Sequence, residues 1–228
     1  GPGHRPYHGA MDRKHQFLLA MPRLDGGTFE GTLSYLCEHN DEGAFALVVN
    51  RPLEGVTLGA IFDQLSIAGP AHRDVPVLDG GPVQRDRGFV LHSDDCCLPA
   101  TVKLQPGLAL STVREMLTAI ADGSGPAQFL VCLGYAGWGE GQLEQEMADN
   151  AWLSCPGDFE TLFEVPFEAR RQRAAESLGI DLALFPGAPA NLHVVVRQQP
   201  QLLRSPGAAL RGAQRRPGAA QLRRCGAR

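Results

Sequence analysis

Between Val75 and His92 the chain passes from one apolar, strand-length segment to another through Gly80-Gly81-Pro82, and this junction constrains the fold more than any other stretch. A glycine pair has no Cβ to resist a tight turn, and proline has no N–H to donate to a helix or a ladder. Val75 to Leu78 and Gly88 to His92 are therefore expected as separate strands around that turn. The charged run Gln84-Arg85-Asp86-Arg87 leads into the second strand, whose apolar centre is Phe89-Val90-Leu91.

Around this junction the other elements follow from period and punctuation. Thr32 to His39 and Ala44 to Asn50 are rich in apolar, β-branched and aromatic residues, with Asn40-Asp41-Glu42-Gly43 between them as a hairpin turn. Arg51-Pro52 is expected to end the second of these strands, and Phe17 to Ala20 reads as an earlier one. Thr57 is placed to cap a helix reaching about Leu65, with Leu58, Ile61, Phe62 and Leu65 on one face. Leu108 to Leu110 is a short strand leading to a second helix, with Ser111 as its cap, Val113, Met116, Leu117 and Ile120 inward, and Gly123 past its end.

Gln128 to Leu133 is a nearly continuous apolar strand that breaks into Gly134-Tyr135-Ala136-Gly137-Trp138. Gly141 to Asn150 follows as an acidic helix, Ala151 to Ser154 as a return strand, and Phe159 to Leu178 as two short helices divided near Pro166. Strands and helices mix without strict β-α-β repetition, so the fold class is α+β.

Length and charge divide the chain into one domain with two ends of different character. Its 228 residues suffice for a single well-buried core. All 25 acidic residues lie before Pro186, against 13 Lys and Arg, so the body is net −12; residues 186–228 hold eight Arg and no acid. Residues 1–15 read as a disordered leader, 16–185 as the folded domain and 186–228 as a disordered tail rich in Arg, Gly, Pro and Ala. The leader has no apolar core or cleavage pattern, and no apolar run nears bilayer-spanning length, so a cytoplasmic chain with no membrane contact is expected.

Several groups invite a chemical role. Cys37 and His39 stand two apart and so share a strand face, yet Leu33 and Tyr35 lie on that face too, which favours a buried structural thiol. The six cysteines form no C-x-x-C pair, and no motif calls for a metal or cofactor. Glu140 and Glu144 are spaced to face one way on the acidic helix, where solvation explains them best. Gly-Gly-Pro lacks the spacing and the lysine of a phosphate loop, and Gly134 to Gly141 resembles a dinucleotide turn only superficially. Tyr135 and Trp138 are expected to pack over a sheet end.

His39, Asn50, Arg51, Arg87 and His92 fall near the ends of expected strands. If those ends gather, they form a pocket for a small anionic ligand, with Arg87 binding it bidentately and the Gly80-Gly81 backbone close by. The same residues serve equally well to cap strands and hold turns. A net charge of −12 disfavours direct nucleic-acid binding by the body, while the Arg-rich tail has the charge for phosphate contacts but no aromatic residues interleaved with it.

Three long stretches, Tyr35 to Leu53 (YLCEHNDEGAFALVVNRPL), Gly80 to Ser93 (GGPVQRDRGFVLHS) and Leu133 to Leu153 (LGYAGWGEGQLEQEMADNAWL), together resemble the bacterial AlgH/YqgE family in wording and order. The likeness runs from about Phe17 to Leu184 and implies a single compact domain in which a bifurcated, partly barrel-like sheet is surrounded by helices. It also implies a transcriptional regulator, and the net charge of −12 on the body favours action through a protein partner or small ligand over direct DNA reading. It brings no catalytic residues with it, so an enzyme or binding protein for a small anionic metabolite, using Arg51, Arg87 and His92, stands as the alternative. Gly27 stands where the family often has proline, Asp94 to Pro99 replaces a usually aromatic stretch, and the tail is foreign to the pattern, as a frameshifted or read-through end would be.

Overall fold

A computed structural model describes residues 14–182; the expected leader up to residue 13 and the expected tail lie outside the described residues. Among the described residues ten strands form: β1 (Gln16–Ala20), β2 (Leu33–Asn40), β3 (Gly43–Val48), β4 (Pro52–Thr57), β5 (Pro76–Asp79), β6 (Val83–Ser93), β7 (Val102–Gln105), β8 (Leu108–Ser111), β9 (Phe129–Trp138) and β10 (Trp152–Pro156). Five helices accompany them: α1 (Leu58–Gln64), α2 (Arg114–Asp122), α3 (Gln142–Ala148), α4 (Phe159–Phe163) and α5 (Phe167–Glu176). The main path of the sheet is β10-β1-β2-β3-β9-β6-β8-β7, with β5 joined to β9 and β4 joined to β5. Every pairing is antiparallel except β5 with β9.

The sheet forks along β9. Its first half lies between β6 and β5, with Cys132 opposite Phe89 and Leu78, whereas its second half pairs with β3, Ala136 opposite Ala46. Gly80 sits in the crotch of the fork, donating to the Leu133 carbonyl at 2.8 Å and accepting from the Val48 amide at 2.9 Å. No side chain fits there: a Cβ on Gly80 would lie 2.4 Å from Gly134 O, and one on Gly81 2.2 Å from Tyr135 O. Gly134 is bound the same way, at φ +77° with a Cβ position 2.3 Å from Gly81 O. The glycines of the junction thus let two backbones cross.

Gly134 also corrects the expectation that the apolar strand breaks there. β9 continues to Trp138, and the left-handed residue acts as a bulge that reverses which side chains face which way. Leu130 and Cys132 point into the largest core cluster, and beyond the bulge Tyr135 does, while Ala136 and Trp138 turn to a second cluster.

Two further expectations are corrected nearby. β3 ends at Val48, and Pro52 starts a strand rather than ending one, which it can do because a first residue on an edge strand needs no ladder donor. Ser111 is the last residue of β8, fully buried, and α2 begins after Val113 without a side-chain cap.

Three clusters make up the core. The largest fills the curl of the sheet around Tyr35, Phe45, Phe89 and Tyr135, and α4 and α5 close it. Arg170 of α5 is 3% exposed there, donating to Val165 O and Val49 O with its guanidinium 4.4 Å over the Phe167 ring; burial lowers its pKa to about 10. The second cluster lies under α3 around Trp138 and Trp152, and the third under α1 and α2. Among the described residues no helix is long and apolar enough to cross a membrane.

Candidate functional site

The third cluster leaves a groove open between the helices and the sheet. The Thr57 hydroxyl accepts from the Ala60 amide and starts α1, which buries Leu58 and Phe62; α2 buries Met116, Leu117, Ile120 and Ala121 and ends at Gly123, φ +85°. Arg114 donates to the Leu65 carbonyl and ties the start of α2 to the end of α1. The groove between them has a volume of about 460 Å³ and is walled by Ile61, Leu65, Leu117, Val131 and Leu133.

Its rim comes from an irregularity in β6. While β9 retreats from Tyr135 to Leu133, β6 advances from Val83 to Gly88, so three extra residues are pushed out of the ladder and Gln84 takes a φ of +46°. Asp86 and Arg87 of this bulge line the groove. The Arg87 guanidinium lies 5.4 Å from the centre of the Phe89 ring and makes no hydrogen bond or ion pair with any described residue. Burial pushes the neighbouring Tyr135 phenol up, and the charge of Arg87 pulls it back in part.

Behind the far end of the groove lies a closed polar chain. His92 Nδ1 is 2.7 Å from its neighbour's carbonyl, Ser93 O, which makes that nitrogen the donor and leaves Nε2 to accept from Ser111 Oγ at 2.8 Å. Thr101 Oγ1 meets Ser111 Oγ at 2.8 Å and accepts from the Leu98 amide. Ser111 contributes to the groove wall, so the chain connects it to the loop bearing Cys96 and Cys97. His92 and Ser111 are both wholly buried, and burial holds the imidazole below its ordinary pKa, which keeps it neutral at pH 7. The pair has the bonding of a nucleophile and base, but Thr101 covers the hydroxyl.

The residues expected to gather do not meet in one pocket. Arg87 and His92 are five residues apart on β6, about 16 Å at strand rise, and only Arg87 lines the groove. Arg51 donates to Thr28 O and Glu30 O, holding the loop after β1, and Asn50 accepts from the Leu33 amide and donates to Gly31 O. Gly80 and Gly81 face other backbone rather than a ligand. His39 is 4% exposed and its Nε2 meets the Glu144 carboxylate.

That contact corrects two sequence expectations. A bulge between Leu36 and Glu38 reverses the facing of β2, so Cys37 points into the curl while His39 points to α3, and the two do not share a face. Cys37 is buried and its thiol is held well above the ordinary range by that burial and by the nearby Cys132. The carboxylates of α3 are not merely a solvated face either. Glu144 reaches His39, and half-buried Glu146 accepts from the indole N–H of Trp138 and, at 3.4 Å, of Trp152. Among the described residues no group of three or more acidic, cysteine or histidine side chains is arranged to hold a metal.

Sequence reasoning missed Ser111, Thr101, Glu146 and Arg170. The run Leu108-Ala109-Leu110-Ser111 carries a signal for the first, since it can be read as one strand through the serine. Nothing in Phe167–Glu176 separates buried Arg170 from its neighbours Arg171 and Arg173.

Comparison with known proteins supplies the context. The AlgH-like family model matches residues 17–183. A UPF0301 protein of Pseudomonas putida (strain GB-1) is 53% identical over 175 residues, 75% of this chain and 92% of that protein. One from Thioalkalivibrio sulfidiphilus is 47% identical over 174 residues, 76% and 93% of the two chains. The solution structure of the AlgH protein from Pseudomonas aeruginosa superposes with a TM-score of 0.67 at 46% identity, covering 78% of this chain and 94% of that one. A crystal structure from Corynebacterium diphtheriae, at 17% identity and TM-score 0.54, covering 71% and 86%, shares the fold.

Proposed function

The chain belongs to the AlgH-like family, and from that premise we propose that it is a regulatory binding protein. A small anionic ligand taken up in the groove beneath α1 and α2 would set its state, and a protein partner would read that state. One observation carries this: an apolar groove of about 460 Å³, a volume usual for small-molecule sites, has Arg87 and Arg114 among its lining residues. Arg51 and Arg170, by contrast, each donate to two backbone carbonyls.

Regulation by direct DNA contact fits poorly, because the net −12 of the body repels phosphate. The linkage to transcription, if it follows the family resemblance, therefore passes through a partner. An enzyme acting on the same anion would use the same groove, and recovery of the ligand unchanged separates the two roles.

The test is a thermal-shift screen of small organic anions on the full chain and on Ile61→Trp, which places a large ring in the groove. Compounds that raise the melting temperature of the wild type, by binding only its folded state, are expected to lose that effect in the variant. A screen in which every hit stabilises both proteins equally would remove the groove as the ligand site.

A further inference from the structure

We infer that Cys96 and Cys97, adjacent thiols in the loop between β6 and β7, form a two-sulfur site for a soft monovalent cation of the copper(I) class. Neither residue lines the groove, so this site stands or falls separately from it.

The loop holds the pair out on a pinned segment. At its start Asp94 Oδ2 accepts from the Gly107 amide at 2.9 Å and pairs with Lys103 Nζ at 3.2 Å, and Asp95 Oδ2 accepts from the Ala127 amide at 3.0 Å. At its end the Leu98 amide donates to Thr101 Oγ1 at 3.0 Å. Between these ties Cys96 is half-buried against the third core cluster. Cys97 is exposed, its thiol donating to the Asp94 carbonyl at 3.3 Å. Among the described residues the other cysteines, Cys37, Cys132 and Cys155, are buried, so a thiol-seeking solute meets this pair first.

Spacing decides what the pair can do. Neighbouring Cα atoms lie about 3.8 Å apart across a trans peptide, short of the roughly 4.4–6.8 Å that an ordinary disulfide spans. Closing an S–S bond of about 2.0 Å between them therefore costs strain, and the two sulfurs are better kept as separate ligands. One ion held in line by two bonds of about 2.3 Å sets the sulfurs about 4.6 Å apart, a spacing that rotation about the two χ1 angles reaches.

The ligand count then selects the ion. Among the described residues no group of three or more acidic, cysteine or histidine side chains is arranged to hold a metal. Nearby His92 has both ring nitrogens bonded within the molecule, and the Asp94 and Asp95 carboxylates serve the amides named above. Zinc and iron–sulfur clusters call for about four protein ligands, whereas copper(I), which thiolates favour, is satisfied by two. Two aspartates against one lysine leave this loop negative, a field that draws a cation. On binding, Cys97 exchanges its bond to the Asp94 carbonyl for one to the ion. Two R–SH and one Cu⁺ become [Cu(SR)₂]⁻ and two H⁺, with nothing oxidised or reduced.

Anaerobic titration of the full chain against the copper(I) bicinchoninate complex tests the site. The wild type is expected to withdraw one ion per chain and to release close to two protons. Cys96→Ser and Cys97→Ser should each weaken binding tenfold or more while melting at the wild-type temperature. Cys225→Ser and Ile61→Trp should bind as the wild type does, and zinc(II) should not displace the copper. No withdrawal by the wild type, or unchanged binding in either of the first two variants, overturns the inference. Loss of the ion in Cys225→Ser assigns it to the tail thiol and overturns the pair, and displacement by zinc(II) overturns the two-ligand site. If Cys96→Ser fails to fold, Cys97→Ser, altered at an exposed side chain, carries the test alone.

Discussion

Single residues here divide into those that make bonds and those that make room. His92 makes bonds: its imidazole is held neutral mainly by burial, against the upward pull of the Ser93 carbonyl and of Asp95 and Asp94. The folded protein therefore takes up that proton less readily than the unfolded chain, whose histidine has its ordinary value of 6.5. The stabilisation from this group is complete above about pH 6.5 and is lost as the pH falls through the lower folded value. His92→Gln should accordingly lose less of its urea midpoint than the wild type between about pH 7 and pH 5; parallel losses would show that His92 does not titrate in that window. His92 was legible as a strand-end histidine, but its partner was not. A serine before an apolar helical run is the usual cap signal, and at Ser111 the demands of the imidazole and of Thr101 override it. The three glycines at Gly80, Gly81 and Gly134 make room, and only two of them stood out as a turn; the third is explained only by the backbone that crosses it.

At the scale of elements, α3 shows how a short polar helix is held in place. It buries one apolar side chain, Leu143, and is otherwise fastened by Glu144 to His39 and by Glu146 to Trp138 and Trp152, the only tryptophans in the chain. Burial raises the pKa of Glu146, while the indole bonds lower it in part, so what the site needs is an acceptor more than a charge. Glu146→Gln should remain within about 1 kcal/mol of the wild type, whereas Glu146→Leu should lose about 1–3 kcal/mol by leaving two buried indole donors unmet. Tryptophan emission followed through urea unfolding reads both variants, because both fluorophores sit on this carboxylate. Equal losses in the two would mean that the charge matters, and no loss in either would mean that the bonds do not. The existence of most elements was visible from alternation and turn residues, including the β2–β3 hairpin and the pair α4 and α5. The acidic periodicity of α3 looked like a solvated face because the acceptors' partners lie on β2, β9 and β10, far away in sequence. The facing of side chains after Cys37 and after Gly134 was hidden for the same reason, since a bulge is defined by the partner strand.

Across the whole molecule, β9 is the hub, paired along its length with β6, β5 and β3 and packed between all three core clusters. Amides of Val131 and Cys132 should therefore exchange with solvent only through global unfolding, whereas those of exposed β4, which meets β5 at just two matched positions, should open first. Hydrogen exchange resolved by residue checks this, and equal protection of β4 and β9 would mean that the domain opens as one unit. The α+β class and the curled, half-barrel sheet are shared with the AlgH structure, and the family motifs foretold them; the fork was implied by that likeness, but its cause, three glycines at one crossing, was not. The opposite edge of the sheet has its own logic. β1 lies between β2 and β10, with Gln16 opposite Pro156, so its second partner is among the last residues of the domain to be made. On the ribosome, β1 and β2 can pair early, yet one side of β1 must wait with its peptide groups unmatched until nearly the whole domain has emerged. For that interval the nascent chain carries an open strand able to recruit a neighbour on the same message, so the pace of translation bears on its yield.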